Sequence, residues 1–242
     1  MNIFQTWKTD TVPAEWADAQ KSVINMNPNW NYRLLTDKDN DSIVKENFPD
    51  FYETFTSFKY PIQRADAIRY CVLYLYGGIY IDLDYICNKS FDSIVLDKEV
   101  GLIKSNNTPG IFTNSFLMSK PKSEFWLLCI SEMKKKLPWY KKITKHFEIM
   151  NSTGPLMING LAHKNKDYIQ ELFSIQTPCN VCNIDICKSD NNFYITPIPG
   201  SSWHSWDSAL LNHLMCNKEF YVIIILFLIT ITIFIVKKKI MR

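Results

Sequence analysis

Residues 61–85, PIQRADAIRYCVLYLYGGIYIDLDY, constrain the fold more than any other part of this chain. Pro61 suits the first turn of a helix, where its missing N–H would have no partner anyway. Ile62, Ala65, Ile68, Val72 and Leu75 then recur at spacings of three and four, the stripe of an amphipathic helix. Gly77 and Gly78 supply a helix C-terminus. Beyond them Ile79, Ile81 and Leu83 alternate with Tyr80, Asp82 and Asp84, the period of a strand. That period predicts that both carboxylates project to one face of an extended chain. A helix, a glycine turn and a strand with two acids at its end fit the ligand edge of an open α/β sheet.

The upstream pattern agrees. Residues 3–7 read as a strand and residues 14–25 as a helix with Trp16, Ala19, Val23 and Ile24 on its apolar side. Tyr32, Leu34 and Leu35 suggest a second strand. Thr36-Asp37 then opens a polar turn and a helix carrying Ile43, Val44 and Phe48. This rhythm predicts an α/β layer architecture. With 47% hydrophobic residues in 242, the chain has material for one sizeable core. A charged fraction of 21% and only 7 glycines exclude a disordered or collagen-like chain. Net charge is +3 without a basic arm, so no nucleic-acid partner is expected. Seven cysteines is an odd number in a chain too long to need staples, which predicts reduced thiols.

Two carboxylates on one face repel each other and are costly to bury unpaired. A divalent cation resolves both problems. Hard oxygen ligands suit Mn²⁺ or Mg²⁺, and such an ion keeps positions for a substrate diphosphate. The plainer alternative is a solvated strand end whose acids happen to alternate. In the preceding helix Asp66 and Arg69 are neighbours three apart. They form either a surface ion pair or a pair reaching the same ligand as Asp82 and Asp84, since arginine suits bidentate oxygen contacts.

The run from Tyr60 to Asp84 resembles the A-D-x-x-R-Y…Y-G-G-x-Y-x-D-x-D core of the glycosyltransferases with a DXD sugar-binding region. This family-32-like group includes initiating α-1,6-mannosyltransferases, inositol-phosphoceramide mannosyltransferases and α-1,4-galactosyl- or N-acetylglucosaminyltransferases. Ile3-Phe4-Gln5-Thr6-Trp7-Lys8 is similar to the family's opening I-H-Q-T-W-K, with Phe4 in the place of His. The segment from Asn114 to Pro121 resembles its N-x-F-M-x-x-x-P, Thr153-Gly154-Pro155 its T-G-P, and Ser202-Trp203-His204-Ser205-Trp206 its S-W-H-x-W. The matches keep their order over nearly all of residues 3–206. The resemblance implies a GT-A, Rossmann-like nucleotide-sugar-binding domain and metal-dependent, retaining transfer of a hexose from a GDP- or UDP-sugar. It implies that Asp82 lies near the donor ribose or sugar and that Asp84 is the direct metal ligand. It places Asp66 and Arg69 at the donor sugar and ribose-diphosphate, and Trp7 near the base.

Other residues carry less definite expectations. Trp203 and Trp206 could close over a donor or simply pack, and His204 could contact metal or phosphate. Asn114 could bind a sugar hydroxyl or be an ordinary turn residue. Cys179, Cys182 and Cys187 have a zinc-like spacing with one ligand too few, so a free-thiol loop is the expectation. The lysines at 134–136, 141 and 142 flank Trp139 and Tyr140. They form a solvated helix face or a contact to anionic lipid.

Residues 220–236 carry no charge, proline or glycine and are followed by three lysines. A spanning helix needs roughly 20 apolar residues, with about 17 near the lower limit. The expectation is a C-terminal transmembrane helix that anchors the chain in a lipid bilayer. Residues 1–8 are too short and polar for a signal peptide. Lysines past the anchor favour a cytoplasmic tail, whereas a tail anchor inserted after synthesis leaves the catalytic domain in the cytosol, the placement expected here. The organisation read from the sequence is thus a glycosyltransferase domain over 1–217 and a membrane anchor with a basic tail over 218–242. The substrates expected are a nucleotide-sugar donor and a hydroxyl of a glycan or glycolipid acceptor. A catalytically silent nucleotide-sugar-binding protein and a metal-dependent phosphoryl-transfer enzyme are the alternatives.

Overall fold

The computed structural model describes residues 1–200 and 202–240, without the side chains of residues 227, 230, 231 and 233–240. Two compact units are present, Met1–Trp203 and His204–Arg242. The domain boundary expected at residue 217 falls inside the second of them.

In the first unit, β1 (Asn2–Thr6), α1 (Ala14–Met26) and β2 (Asn31–Leu35) make a parallel β-α-β unit. Thr36 caps α2 (Asp37–Asn47) through a reciprocal pair of hydrogen bonds with Asp39, satisfying two backbone N–H groups that a helix start leaves open. Pro49 opens α3 (Pro49–Ser57) and Pro61 opens α4 (Pro61–Tyr76). The chain then turns sharply into β3 (Gly78–Ile81) through Gly77 and Gly78, at φ +61° and +102°. Only glycine adopts both readily, and a Cβ on Gly78 would collide with the Asn2 carbonyl oxygen of β1.

Next come β4 (Tyr85–Cys87), β5 (Val100–Lys104), β6 (Phe112–Ser119), α5 (Glu124–Met133), α6 (Lys145–Ser152), α7 (Pro155–Lys164), β7 (Ile169–Glu171) and β8 (Ile195–Pro197). The main sheet has the order β2-β1-β3-β6-β5-β7. β1 runs parallel to β2 and β3, β6 runs antiparallel to β3 and β5, and β7 runs parallel to β5. β4 and β8 form a small antiparallel ribbon. Consecutive strand residues bury on opposite faces. Phe4, Tyr80 and Leu117 join a core with α2, α3, α4, α5 and α7, while Ile3, Ile79, Ile81, Phe116 and Met118 join a second with Val23 of α1 and with β4 and β8. The sheet is therefore covered on both sides, as mixed α/β proteins require.

Two local expectations change. The middle of α4, from Asp66 to Leu73, is buried all round rather than along one stripe. The helix lies on β1, β3 and β6 and is covered by α2, α3, α5 and α6, so even its polar residues face protein. The strand carrying the acids is also shorter than its alternation suggests. β3 ends at Ile81, and Asp82, Leu83 and Asp84 form the link to β4.

The second unit holds α8 (Trp206–Cys216) and α9 (Lys218–Ile240). Among the described residues no single helix is long and apolar enough to cross a membrane. α8 and the stretch Lys218–Leu226, bent by 72°, reach that length and composition only together. The expected anchor, residues 220–236, lies within α9, and part of its side chains and of the basic tail lie outside the described residues. Val222, Ile223, Ile225, Leu226 and Leu228 of α9 are each more than half exposed.

Candidate active site

Tyr80 and Asp82 are two apart at the end of β3 and share a face, and the Tyr80 hydroxyl donates to Asp82 Oδ1 at 2.7 Å. The link is pinned by its backbone: Asp82 N–H donates to the Ser115 carbonyl at 2.9 Å, and Gln5 Nε2 donates to the Asp82 carbonyl at 3.2 Å. From α4, Arg69 reaches in and is almost fully used. Its Nη1 lies 3.1 Å from Asp82 Oδ1 and donates to the Asn114 carbonyl at 2.8 Å. Its Nη2 lies 3.2 Å from Asp66 Oδ1, and its Nε donates to the Ala65 carbonyl at 3.2 Å. The guanidinium also sits over the Tyr80 ring at 4.6 Å. Asp66 is held further by Asn114 Nδ2 at 2.9 Å and Thr153 Oγ1 at 2.8 Å.

Three carboxylates thus face one guanidinium. Asp66 and Asp82 share it, and among the described residues no other side chain hydrogen-bonds or ion-pairs Asp84. Burial pushes the Asp84 carboxyl well above the usual carboxylate range, and the negative charge of Asp82 pushes it further. Burial also raises Asp66 and Asp82, against the pull of Arg69. Asp84 is packed closely: a Cβ on Gly200 would occupy the space of its Oδ2, and its backbone carbonyl accepts from Ile198 N–H at 2.9 Å.

This donor set fits a divalent cation. Asp84 is an uncompensated hard oxygen ligand beside a second carboxylate, the arrangement a cation neutralises. Among the described residues no group of three or more His, Cys, Asp or Glu surrounds one point. The chain would therefore leave most coordination positions to phosphate oxygens and water.

The acids open into a cavity of about 340 Å³. Its floor is Tyr80, Asp82, Leu83 and Asp84, and its walls are Thr6 at the end of β1 with Trp7 and Lys8 beyond it, Trp16 of α1, Asp37 of α2, the first turns of α4 with Tyr60, and Lys145, Ser202 and Trp203. It sits beyond the carboxyl ends of β1 and β3, where open α/β sheets bind ligands. Trp7 packs edge-on to Trp16 at 5.1 Å, and Trp16 Nε1 donates to the Pro199 carbonyl at 3.0 Å. Trp203 stacks on His146 at 5.4 Å, and its carbonyl accepts from Lys145 Nζ.

Of the residues expected from the sequence, Trp7, Arg69, Asp82, Asp84 and Trp203 line this cavity. Asp66 and Asn114 lie behind it, tied to Arg69. His204 belongs to the second unit. The free-thiol and zinc expectations at Cys179, Cys182 and Cys187 are corrected, because Cys179 and Cys187 form a disulfide, Cys182 is disulfide-bonded as well, and none of the three can ligate zinc as a thiolate. Lys145, Tyr60 and Trp16 line the cavity without having stood out. Lys145 follows a lysine-rich stretch that reads as surface, and its sequence context carries no signal of the cavity.

Comparison with known proteins supports the reading of this motif. Residues 13–101 match the family model described as "Glycosyltransferase sugar-binding region containing DXD motif". Mannosyl phosphorylinositol ceramide synthase CSH1 of Saccharomyces cerevisiae is 35% identical over 222 residues, covering 88% of this chain and 56% of that protein. Inositol phosphoceramide mannosyltransferase 2 of Schizosaccharomyces pombe is 35% identical over 225 residues, covering 92% and 63%. The chain thus spans little more than half the length of these relatives. Among solved structures, "PaToxG Glycosyltransferase" superposes with a TM-score of 0.53 at 17% identity, covering 68% of this chain and 69% of that one, a likeness of fold alone. By its sugar-binding region, residues 13–101, the chain is similar to the DXD-containing glycosyltransferases.

Proposed function

We propose that this chain transfers a hexose from a nucleotide sugar to a hydroxyl of a glycolipid or glycan, with retention at the sugar carbon. The observation that carries the proposal is Asp84, a carboxylate on the floor of an aromatic-walled cavity with no side-chain partner among the described residues, beside Asp82, which shares the single charge of Arg69 with Asp66. A divalent cation, Mn²⁺ or Mg²⁺, held by Asp84 with Asp82 would stabilise the charge developing on the departing diphosphate. The chain's own groups do the rest. Trp7 and Trp16, packed edge to face, offer an aromatic corner against which a base could stack on one ring, and Lys145 is a cation lining the cavity and suited to a phosphate. Trp203 covers the cavity edge and limits the entry of water. Asp66 and Asn114 hold Arg69, and Arg69 holds Asp82, so they act as positioning residues. His204 remains a proposed contact to donor or metal. Among the described residues the only nucleophilic groups on the floor are Asp82 and Asp84, which are the proposed cation ligands, and Tyr80, whose hydroxyl is bonded to Asp82; this supports same-face displacement assisted by the diphosphate.

The names of the relatives make mannose the proposed hexose and an inositol phosphoceramide the proposed acceptor. GDP- and UDP-hexoses supplied to the full-length chain with Mn²⁺ and such a lipid test this. Transfer from a mannose donor onto the lipid supports it. Failure of every donor to bind or release nucleotide diphosphate contradicts it, and binding without turnover makes the chain a nucleotide-sugar binder. The bilayer is proposed as the chain's location, with residues 220–236 as its anchor. Disulfides persist in oxidising compartments, so the Cys179–Cys187 bridge supports a lumenal placement of the first unit over the cytosolic one expected from the sequence, and any leaflet it docks on is then the lumenal one. Alkylation of both cysteines in native protein without reductant would contradict that placement.

A further inference from the structure

The segment between α5 and α6 carries a surface that the donor cavity does not use. After Met133 the chain runs KKKLPWYKKITKHF, residues 134–147, without a single acidic residue. Trp139 is 78% exposed, Ile143 68% and Tyr140 56%, and Phe147 is also exposed. Lys134, Lys136 and Lys142 are exposed and Lys141 is partly so. Among the described residues none of these four forms an ion pair, while Lys135 pairs with Glu132 at 2.6 Å. Large apolar side chains placed in water at this density mark an interaction surface.

We propose that residues 134–147 are a docking surface for an anionic lipid bilayer, separate from the C-terminal helix. The chemistry favours a bilayer over an acidic protein. Tryptophan and tyrosine have an apolar body and a polar tip, and they settle at the headgroup level. Interleaved lysines bury their stems in that layer and reach anionic headgroups with their ammonium groups. The surface adjoins the cavity through the chain itself, because Lys145 lines the cavity and Phe147 of the same helix faces outward. Docking would bring the cavity to the membrane plane, where a lipid-borne acceptor lies. That last consequence rests on the transferase reading, whereas the docking itself does not.

Amide hydrogen exchange on the full-length chain tests the surface directly and needs no activity. The chain is placed in nanodiscs of phosphatidylcholine alone and in nanodiscs that also contain phosphatidylserine, at low and high salt. Exchange over 134–147 should slow at least roughly fivefold in the anionic discs at low salt, the equivalent of one lysine near an anionic surface. The slowing should vanish in the full-length variant carrying Trp139→Ser, Ile143→Ser, Lys141→Ser and Lys142→Ser. Unchanged exchange over α4 in the same variant shows that it folds. Equal exchange in both kinds of disc overturns the proposal. Slowing that appears without anionic lipid and grows with protein concentration also overturns it, and assigns the surface to a second copy of the chain.

Discussion

At the scale of single residues the site is a problem of charge. Arg69 pairs with both Asp66 and Asp82, one positive charge against two negative, and among the described residues no cationic side chain pairs with half-buried Asp84 beside them. Its raised proton affinity in the folded chain means that folding is opposed by its charge at neutral pH. Asp84→Asn removes that charge and keeps the shape. In metal-free buffer it should raise the melting temperature by roughly 2–4 °C for each kcal/mol of repulsion relieved, read by scanning calorimetry. A lower melting temperature would mean that Asp84 has a stabilising partner. Arg69 should behave in the opposite way. Removing one partner of a buried ionic network leaves an uncompensated charge, which costs about 3–5 kcal/mol. Arg69→Ala should therefore lose about that much stability in urea unfolding. Unchanged stability with weakened donor binding would make Arg69 a donor contact instead of a positioning residue.

At the scale of elements, the turn from α4 into β3 fixes where the acids arrive. Gly78 sits at φ +102° against the Asn2 carbonyl of β1. A side chain there meets both backbone strain and a clash, so Gly78→Ala should destabilise the chain by more than about 2 kcal/mol. A neutral result would show that β1 and β3 can separate at this point without cost. This turn was legible in the sequence, as were β1, α1, β2, the Thr36 start of α2 and the Pro61 start of α4, because each is set by local signals: alternation, caps, proline and glycine. β5, β6, β7 and β8 were not read out, since they form by pairing with distant strands and their own segments carry weaker periodicity. The surroundings of α4 were also hidden. Asp66 and Arg69 have the same spacing in a surface pair and in a buried network, and only the packing of α2, α3, α5 and α6 over α4 decides between the two. Within the site, the two acids and Trp7 could be read from their motifs. Lys145 could not, because its place in the cavity depends on how α6 packs. The disulfide between Cys179 and Cys187 was missed because an odd cysteine count argues about the whole chain and says nothing of one loop.

At the scale of the whole molecule, a mixed sheet covered on both faces holds the cavity, and a separate helical unit ends the chain. The exposed apolar side chains of α9 lead to the expectation that full-length protein sediments with membranes and needs detergent for release, whereas a chain ending at residue 217 is released from them. Full-length protein that stays soluble without detergent would contradict the bilayer proposal. The central claim concerns the cavity, and it turns on Asp84. The deciding measurement is sugar transfer by the full-length Asp84→Asn variant beside the parent, with saturating donor, acceptor and Mn²⁺. Loss of several kcal/mol of transition-state stabilisation corresponds to a fall of at least about 100-fold, with the melting temperature kept or raised. Transfer near the parent rate would contradict the account, because the carboxylate at the heart of the site would then take no part in the chemistry.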